Sequence, residues 1–188
     1  MTSGVTEGIQ SRLADFVGVE KKDLPCIRLL DPTENMLKYV WEGDVSTINT
    51  ENMKSYIQDF KDGKLEPHLK SEDIPEEQGN LTVIVGKTWD KIVKDETKDV
   101  LVKYYAPWCG HCKALAPTWD ELANDVADIE DLIIAKFDAT ANEVAGLDIR
   151  GYPTLKFYPK NNKAGMDYSG DRDLPDFKKW LSENSSAY

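Results

Sequence analysis

Cys109 and Cys112 stand three positions apart in this chain and enclose Gly110 and His111. A strand-like run, Asp99-Val100-Leu101-Val102-Lys103-Tyr104-Tyr105, leads through Ala106-Pro107-Trp108 into them, and a helical pattern follows. On a helix, positions i and i+3 share a face about 5–6 Å apart, a separation that a disulfide tolerates. The pair can therefore close and open a disulfide, and its chemistry is electron-pair exchange with other thiols. A zinc site would need two further ligands. The remaining candidates are Cys26, far upstream, and His68 in a polar stretch, so no metal is expected.

The reactive end of the pair follows from electrostatics. Cys109 falls where strand gives way to helix, so its sulfur faces unpaired backbone N–H groups and the positive end of the helix dipole. Both favour the thiolate, which is the nucleophile. His111 can carry positive charge and stabilise that thiolate further. Cys112, one turn deeper, is expected to be shielded and protonated. It is the resolving thiol, which attacks the mixed disulfide formed at Cys109 and frees the substrate. Trp108, beside Cys109, is placed as an exposed apolar contact for clients.

Residues 80–185 resemble a catalytic thioredoxin-like domain of the protein disulfide isomerase family, most closely its second one, the a′ domain. The carriers are Tyr105-Ala106-Pro107-Trp108-Cys109-Gly110-His111-Cys112-Lys113, Leu115-Ala116-Pro117, Ala135-Lys136-Phe137-Asp138-Ala139-Thr140 and Gly151-Tyr152-Pro153-Thr154. The resemblance implies a cis Pro153 facing the active cysteine and a backbone near Tyr152 suited to pairing with an extended substrate. It implies that Arg150 assists proton transfer at the resolving thiol. No cofactor is implied beyond the redox-active disulfide, with glutathione as the redox buffer. The implied partners are unfolded or partly folded cysteine-containing clients and an upstream thiol oxidase. The implied location is the endoplasmic reticulum lumen, although Met1–Glu7 lacks signal-peptide character and the chain ends without a retention signal.

One position departs from the family pattern. A buried glutamate, thought to accept the resolving cysteine's proton, is common where this chain has Lys103, and Lys136 matches its strand partner. Two ammonium groups would repel, so one must reach solvent or lose its proton. Slower release of mixed disulfides than in a glutamate-bearing relative is predicted, with Lys103→Glu restoring speed.

Composition narrows the classes. With 23 Lys+Arg against 34 Asp+Glu, the net charge is −11, which disfavours nucleic acid and anionic membranes. No apolar run approaches the roughly 18 residues of a membrane span. Cys26, in the apolar run Cys26-Ile27-Arg28-Leu29-Leu30, reads as a buried small hydrophobe. Asn80-Leu81-Thr82 and Asn184-Ser185-Ser186 are glycosylation sequons permissive of a secretory location.

Three stretches follow along the chain: a partial noncatalytic thioredoxin-like, b′-like segment (1–65), an acidic linker (66–79) and a catalytic a′-like domain (80–188). In the last, strands are expected at 81–85, 99–105, 132–137, 154–158 and 164–168. Helices are expected from a Thr88 cap to Val93, from the cysteines onward with Pro117 inside, at 141–147, and after an Asp173 cap. Leu115, Trp119, Leu122, Ala123 and Val126 give the active-site helix a buried face. The fold class is α/β: a mixed central sheet flanked by helices, thioredoxin-like, preceded by a partial module of the same kind. Shifting the chain by 128 positions lays Val17-Gly18-Val19-Glu20 over Ala145-Gly146-Leu147-Asp148 and Pro25 over Pro153. A hairpin with strands after Pro25 and from Met36 to Trp41, then a helix bearing Met53, Tyr56, Ile57 and Phe60, completes this half-module. Half a sheet buries its apolar face poorly, so this segment is expected to be partly disordered, packed on the second domain or completed by another chain.

Thiol–disulfide exchange of the isomerase and oxidase type is the leading function. A client-binding or assembly subunit with incidental thiols and a cytosolic reductase are the alternatives.

Overall fold

The computed structural model describes residues 12–14, 17–19, 21–33 and 37–188. The Met1–Glu7 start, Glu20 and the strand start at Met36 lie outside them. The chain divides into two compact units, residues 1–69 and 70–188.

In the first unit, β1 (Arg28–Asp31) and β2 (Leu37–Val40) pair antiparallel, with Arg28 opposite Val40. Helix α1 (Thr50–Lys61) begins at Asn49, whose side chain accepts from the Glu51 and Asn52 N–H groups, while Asn52 returns a bond to the Asn49 N–H. That reciprocal box satisfies donors the helix leaves open. Tyr56 is buried and meets Trp41 edge-on at 5.1 Å, and Phe60 meets Tyr39 at 5.0 Å. Positions 128 apart share backbone form: Leu24-Pro25 and Tyr152-Pro153 are both cis, and Gly18 and Gly146 have φ of 67° and 74°. His68, in the stretch read as polar, is half-buried and donates its N–H to the Lys38 carbonyl at 2.6 Å.

The second unit is built on a five-stranded sheet ordered β3-β5-β4-β6-β7: β3 (Thr82–Ile84), β4 (Asp99–Tyr105), β5 (Leu132–Asp138), β6 (Thr154–Tyr158) and β7 (Met166–Asp167). β3, β5 and β4 run parallel, while β6 and β7 are antiparallel to their neighbours. β4 is buried along nearly its whole length, Asp99 and Lys103 included, as expected of a central strand covered on both faces. Helices α2 (Gly86–Val93), α3 (Gly110–Asp125) and α4 (Leu174–Asn184) complete the unit. Trp119, Leu122, Phe157, Phe177 and Leu181 form one fully buried cluster. Ile84, Trp89, Val93, Val102, Tyr104 and Phe137 belong to another.

Several expectations change. Cys26, read as buried, is only half-buried. α2 begins at Gly86, not after Thr88; Thr88 sits inside it and its Oγ1 accepts the Val85 N–H at 3.0 Å. A side chain at Gly86 would meet the Lys70 carbonyl at 2.8 Å and the Glu143 carbonyl at 3.2 Å, so glycine lets residues 70–72 lie close. That stretch, inside the segment read as a linker, is tied down by Glu72 N–H to Asn142 Oδ1 at 2.9 Å and Lys70 N–H to Glu143 Oε2 at 3.0 Å. The helix expected at 141–147 is replaced by turns. Asn142 is buried with its side chain spent on Asp138, Glu72 and Gly86, and Gly146 turns left-handed.

Candidate functional site

β4 carries the chain to the carboxyl end of the parallel strands, the edge where open α/β sheets place their sites. There Cys109 closes a turn by donating its N–H to the Ala106 carbonyl at 3.0 Å and becomes the N-cap of α3. Its Sγ accepts the Cys112 N–H at 3.4 Å. The cap that serine or aspartate usually supplies is here a sulfur. Gly110 opens the helix, and both Cys109 and Cys112 are unbridged thiols.

The two sulfurs are held unequally. Cys109 is 8 % exposed and Cys112 4 %. The Cys109 thiol is pushed below its ordinary value by a hydrogen bond from the Cys112 side chain, helped by the Cys112 and His111 N–H groups and the Arg172 charge, against burial. The Cys112 thiol is pushed up, by burial first and then by its bond to Cys109. The outer sulfur is thus drawn towards the thiolate and the inner one towards its protonated form. What His111 contributes to this shift is its backbone N–H.

Facing Cys109 is the loop before β6. Tyr152-Pro153 is cis, and the Tyr152 carbonyl accepts from the Cys109 thiol at 3.6 Å. Trp108 is 71 % exposed and meets Tyr152 edge-on at 5.8 Å. Tyr152 and Tyr105 flank the cysteines, and burial raises both phenols so that they stay neutral.

Arg150 is not brought to the cysteines. Its Nε donates to Asp148 Oδ2 at 2.7 Å and its side chain is 89 % exposed, so its charge is spent in solvent. The guanidinium that bears on Cys109 belongs to Arg172, whose Nη2 donates to the Pro153 carbonyl at 3.5 Å. Both arginines line a groove of about 500 Å³ with Asp148, Pro153 and Lys156. Arg172 lies in the connection between β7 and α4, distant in sequence from the cysteines, and only the β6–β7 pairing returns it to the cis-proline loop. A smaller cavity of about 140 Å³ lies on the inner side of Cys112, lined by Leu81, Lys103, Ala116, Asp120 and Lys136. Asp120 was also missed, although Cys112, Ala116 and Asp120 recur at the four-residue spacing of one helix face.

Among the described residues, no group of three or more His, Cys, Asp or Glu is placed to hold a metal ion. Nor is any described helix long and apolar enough to cross a membrane.

A cysteine-capped helix opposing a cis-proline loop on this mixed sheet is the layout of a thioredoxin-like fold. Residues 80–183 match the Thioredoxin family, more than half of the 188 residues, and the chain belongs to that family. It is 43 % identical over 173 residues to a protein disulfide-isomerase of Gallus gallus, covering 90 % of this chain and 33 % of that protein. The Drosophila melanogaster protein disulfide-isomerase is 40 % identical over 189 residues, covering 100 % of this chain and 38 % of its own length. The chain thus spans about a third of the length of these curated relatives. The solution structure of the first thioredoxin domain of mouse protein disulfide-isomerase A4 is 32 % identical with a TM-score of 0.48, covering 60 % of this chain and 81 % of that one.

Proposed function

We propose that this chain is a thiol–disulfide oxidoreductase of the protein disulfide isomerase kind, forming, reducing and rearranging disulfides in client proteins through Cys109-Gly110-His111-Cys112. The observation that carries this reading is the unequal pair of thiols, one capping a helix and one buried behind it. In the reducing direction, the Cys109 thiolate attacks a client disulfide. A Cys109–client bond forms, and the client's other sulfur leaves as a thiolate and takes a proton from water. Cys112 then loses its proton and attacks Cys109 Sγ; the Cys109–Cys112 bond forms and the second client sulfur departs. The client gains two electrons and the pair is left oxidised. Oxidation of a client dithiol runs these steps backwards.

Trp108, Tyr152 and Pro153 are the proposed client contacts, with the cis bond presenting an extended backbone beside Cys109. Gly110 borders open space, where a side chain would meet nothing within 4 Å. His111 is exposed next to the thiolate and adds charge when protonated. The arginine proposed to assist proton movement is Arg172 in place of Arg150. Glutathione is the proposed redox buffer, partly folded cysteine-containing proteins the clients, a thiol oxidase the electron acceptor and the endoplasmic reticulum lumen the location. Residues 1–65 are proposed to be a partial noncatalytic b′-like segment preceding the catalytic domain.

Titration of the Cys109–Cys112 pair in glutathione buffers tests this. A midpoint near about −180 mV supports an isomerase or oxidase, whereas one near about −270 mV supports a reducing thioredoxin. A Cys109→Ser/Cys112→Ser protein that kept its full effect on client folding would overturn the redox role and support a binding subunit instead.

A further inference from the structure

Lys103 is only 3 % exposed. A buried ammonium is costly unless neighbouring groups compensate it. β4 places Lys103 opposite Lys136 of β5 in the parallel register, so the nearest strand neighbour repels it. Its Nζ lies over the Tyr105 ring at 5.9 Å and the Trp119 ring at 5.7 Å, aromatic faces that attract a cation. Burial pushes the Lys103 ammonium below the ordinary lysine value and Lys136 adds to that, while Asp120 and Cys112 draw it back towards the charged form. The relation is mutual, because the Lys103 charge draws the Cys112 thiol towards ionisation. Lys103, Lys136, Asp120 and Cys112 line one cavity. Lys113 lines it as well, so Asp120 alone opposes three lysines, and the thiolate of Cys112 adds a second negative charge.

We propose that Lys103 is a positioning residue for the resolving step, whose ammonium stabilises the Cys112 thiolate as it attacks Cys109. This deepens the oxidoreductase reading and rests on it. The groups facing Cys112 are Lys103 and Tyr105 of β4, Lys136 of β5, Lys113, Asp120 and Cys109 of α3 and its cap, and Tyr152 of the cis-proline loop. The tyrosines remain neutral, which leaves the lysines to set the sign of the field. In the step itself Cys112 gives its proton to water, the Cys109–Cys112 bond forms and the Cys109–client bond breaks. The departing sulfur takes up a proton from water. The carboxylate that the sequence reading found absent at position 103 is present at Asp120 on α3. This reverses the sequence-based expectation for Lys103→Glu, because a second anion beside Cys112 opposes its ionisation.

The test is release of glutathione from a preformed Cys109–glutathione mixed disulfide, followed by rapid mixing across pH in the full chain. Relative to wild type, Lys103→Met is expected to release about tenfold more slowly at pH 7, equivalent to one unit in the ionisation of the attacking thiol, with its pH midpoint moved upward. Lys103→Glu is expected to be at least as slow. Lys103→Arg, which keeps the charge, is expected to stay within about threefold of wild type. Alkylation of Cys109 in the reduced variants, expected to match wild type, shows that the fold and outer thiol are intact. Lys103→Met releasing at the wild-type rate with an unmoved midpoint would overturn the proposal, as would Lys103→Arg as slow as Lys103→Met. A wild-type protein that releases no glutathione would instead overturn the oxidoreductase reading itself.

Discussion

Removing the Trp108 ring separates client contact from chemistry. The side chain is 71 % exposed, and a tryptophan can bury about 150–250 Å², so roughly 140 Å² remains for a partner to cover. At about 25 cal/mol per Å², full coverage is worth at most about 3.5 kcal/mol. A client covering half of it contributes about 1.7 kcal/mol, roughly fifteenfold in affinity. Among the described residues the ring meets Tyr152 edge-on at 5.8 Å, a pair worth about 0.5–1.5 kcal/mol. Trp108→Ala is therefore expected to cost about 1 kcal/mol in urea unfolding. Its rate of exchange with glutathione should change by less than about twofold, because glutathione reaches the sulfur without covering the ring. Oxidation of a dithiol peptide carrying leucine and phenylalanine beside its cysteines should slow by about tenfold at subsaturating peptide. Equal losses with glutathione and with the peptide would refute the reasoning, since the ring would then be acting on Cys109 and not on the client.

Arg172→Met is expected to slow alkylation of Cys109 at pH 6 by about threefold, because a cation favouring the thiolate is gone. Arg150→Met, which loses only an exposed pair with Asp148, should leave that rate unchanged; the reverse ranking would restore the role given to Arg150 from sequence. Asp99 is fully buried, and its carboxylate accepts from the Lys160, Ser186 and Ala187 N–H groups and the Ser185 hydroxyl at 2.7–3.2 Å. Burial raises this acid, but the hydrogen bonds outweigh it and hold it below 3.8. A depressed folded value means the stabilisation is fully present above the unfolded value and is lost as pH falls through the folded one. Asp99→Asn, which turns an amide donor toward other donors, is expected to cost about 2–4 kcal/mol at pH 7. The gap to wild type should narrow below about pH 4 in urea unfolding; a gap that persisted unchanged at pH 2 would count against this account of Asp99.

Local pattern was enough for much of the second unit. β4 at 99–105 and the Asp173 cap of α4 follow from an apolar run and a capping residue, which are properties of neighbouring residues. The start of α3 at the cysteines follows in the same way. The turns at 141–147 do not. That stretch has helical spacing, yet Asn142 makes more bonds as a bracket between Asp138, Glu72 and Gly86 than it would inside a helix. Those partners are known only once the chain has folded back on itself. Arg172 was hidden for the same reason. Arg150 precedes the cis-proline closely in sequence, but Asp148 two residues earlier takes its guanidinium outward, and the arginine that reaches Pro153 arrives from the far end of the hairpin.

The first unit shows what such a frame does without the chemistry. It repeats the cis-proline bond and the left-handed glycine 128 positions earlier, and follows them with a hairpin and a capped helix. In the second unit the cis-proline loop gains its meaning from β4, which runs beside β6 and delivers Cys109 against Tyr152. β1 is the counterpart of β6 under that shift, and the strand paired with it is β2. Electron exchange needs Cys109, the sulfur that β4 and α3 bring against the cis-proline loop of the second unit alone among the described residues. Fold and function separate at that residue. By the same logic the pocket beneath Cys112 can exchange its strand carboxylate for Lys103 while the helix supplies Asp120, because the resolving thiol responds to the summed field in the cavity and not to which element carries each charge.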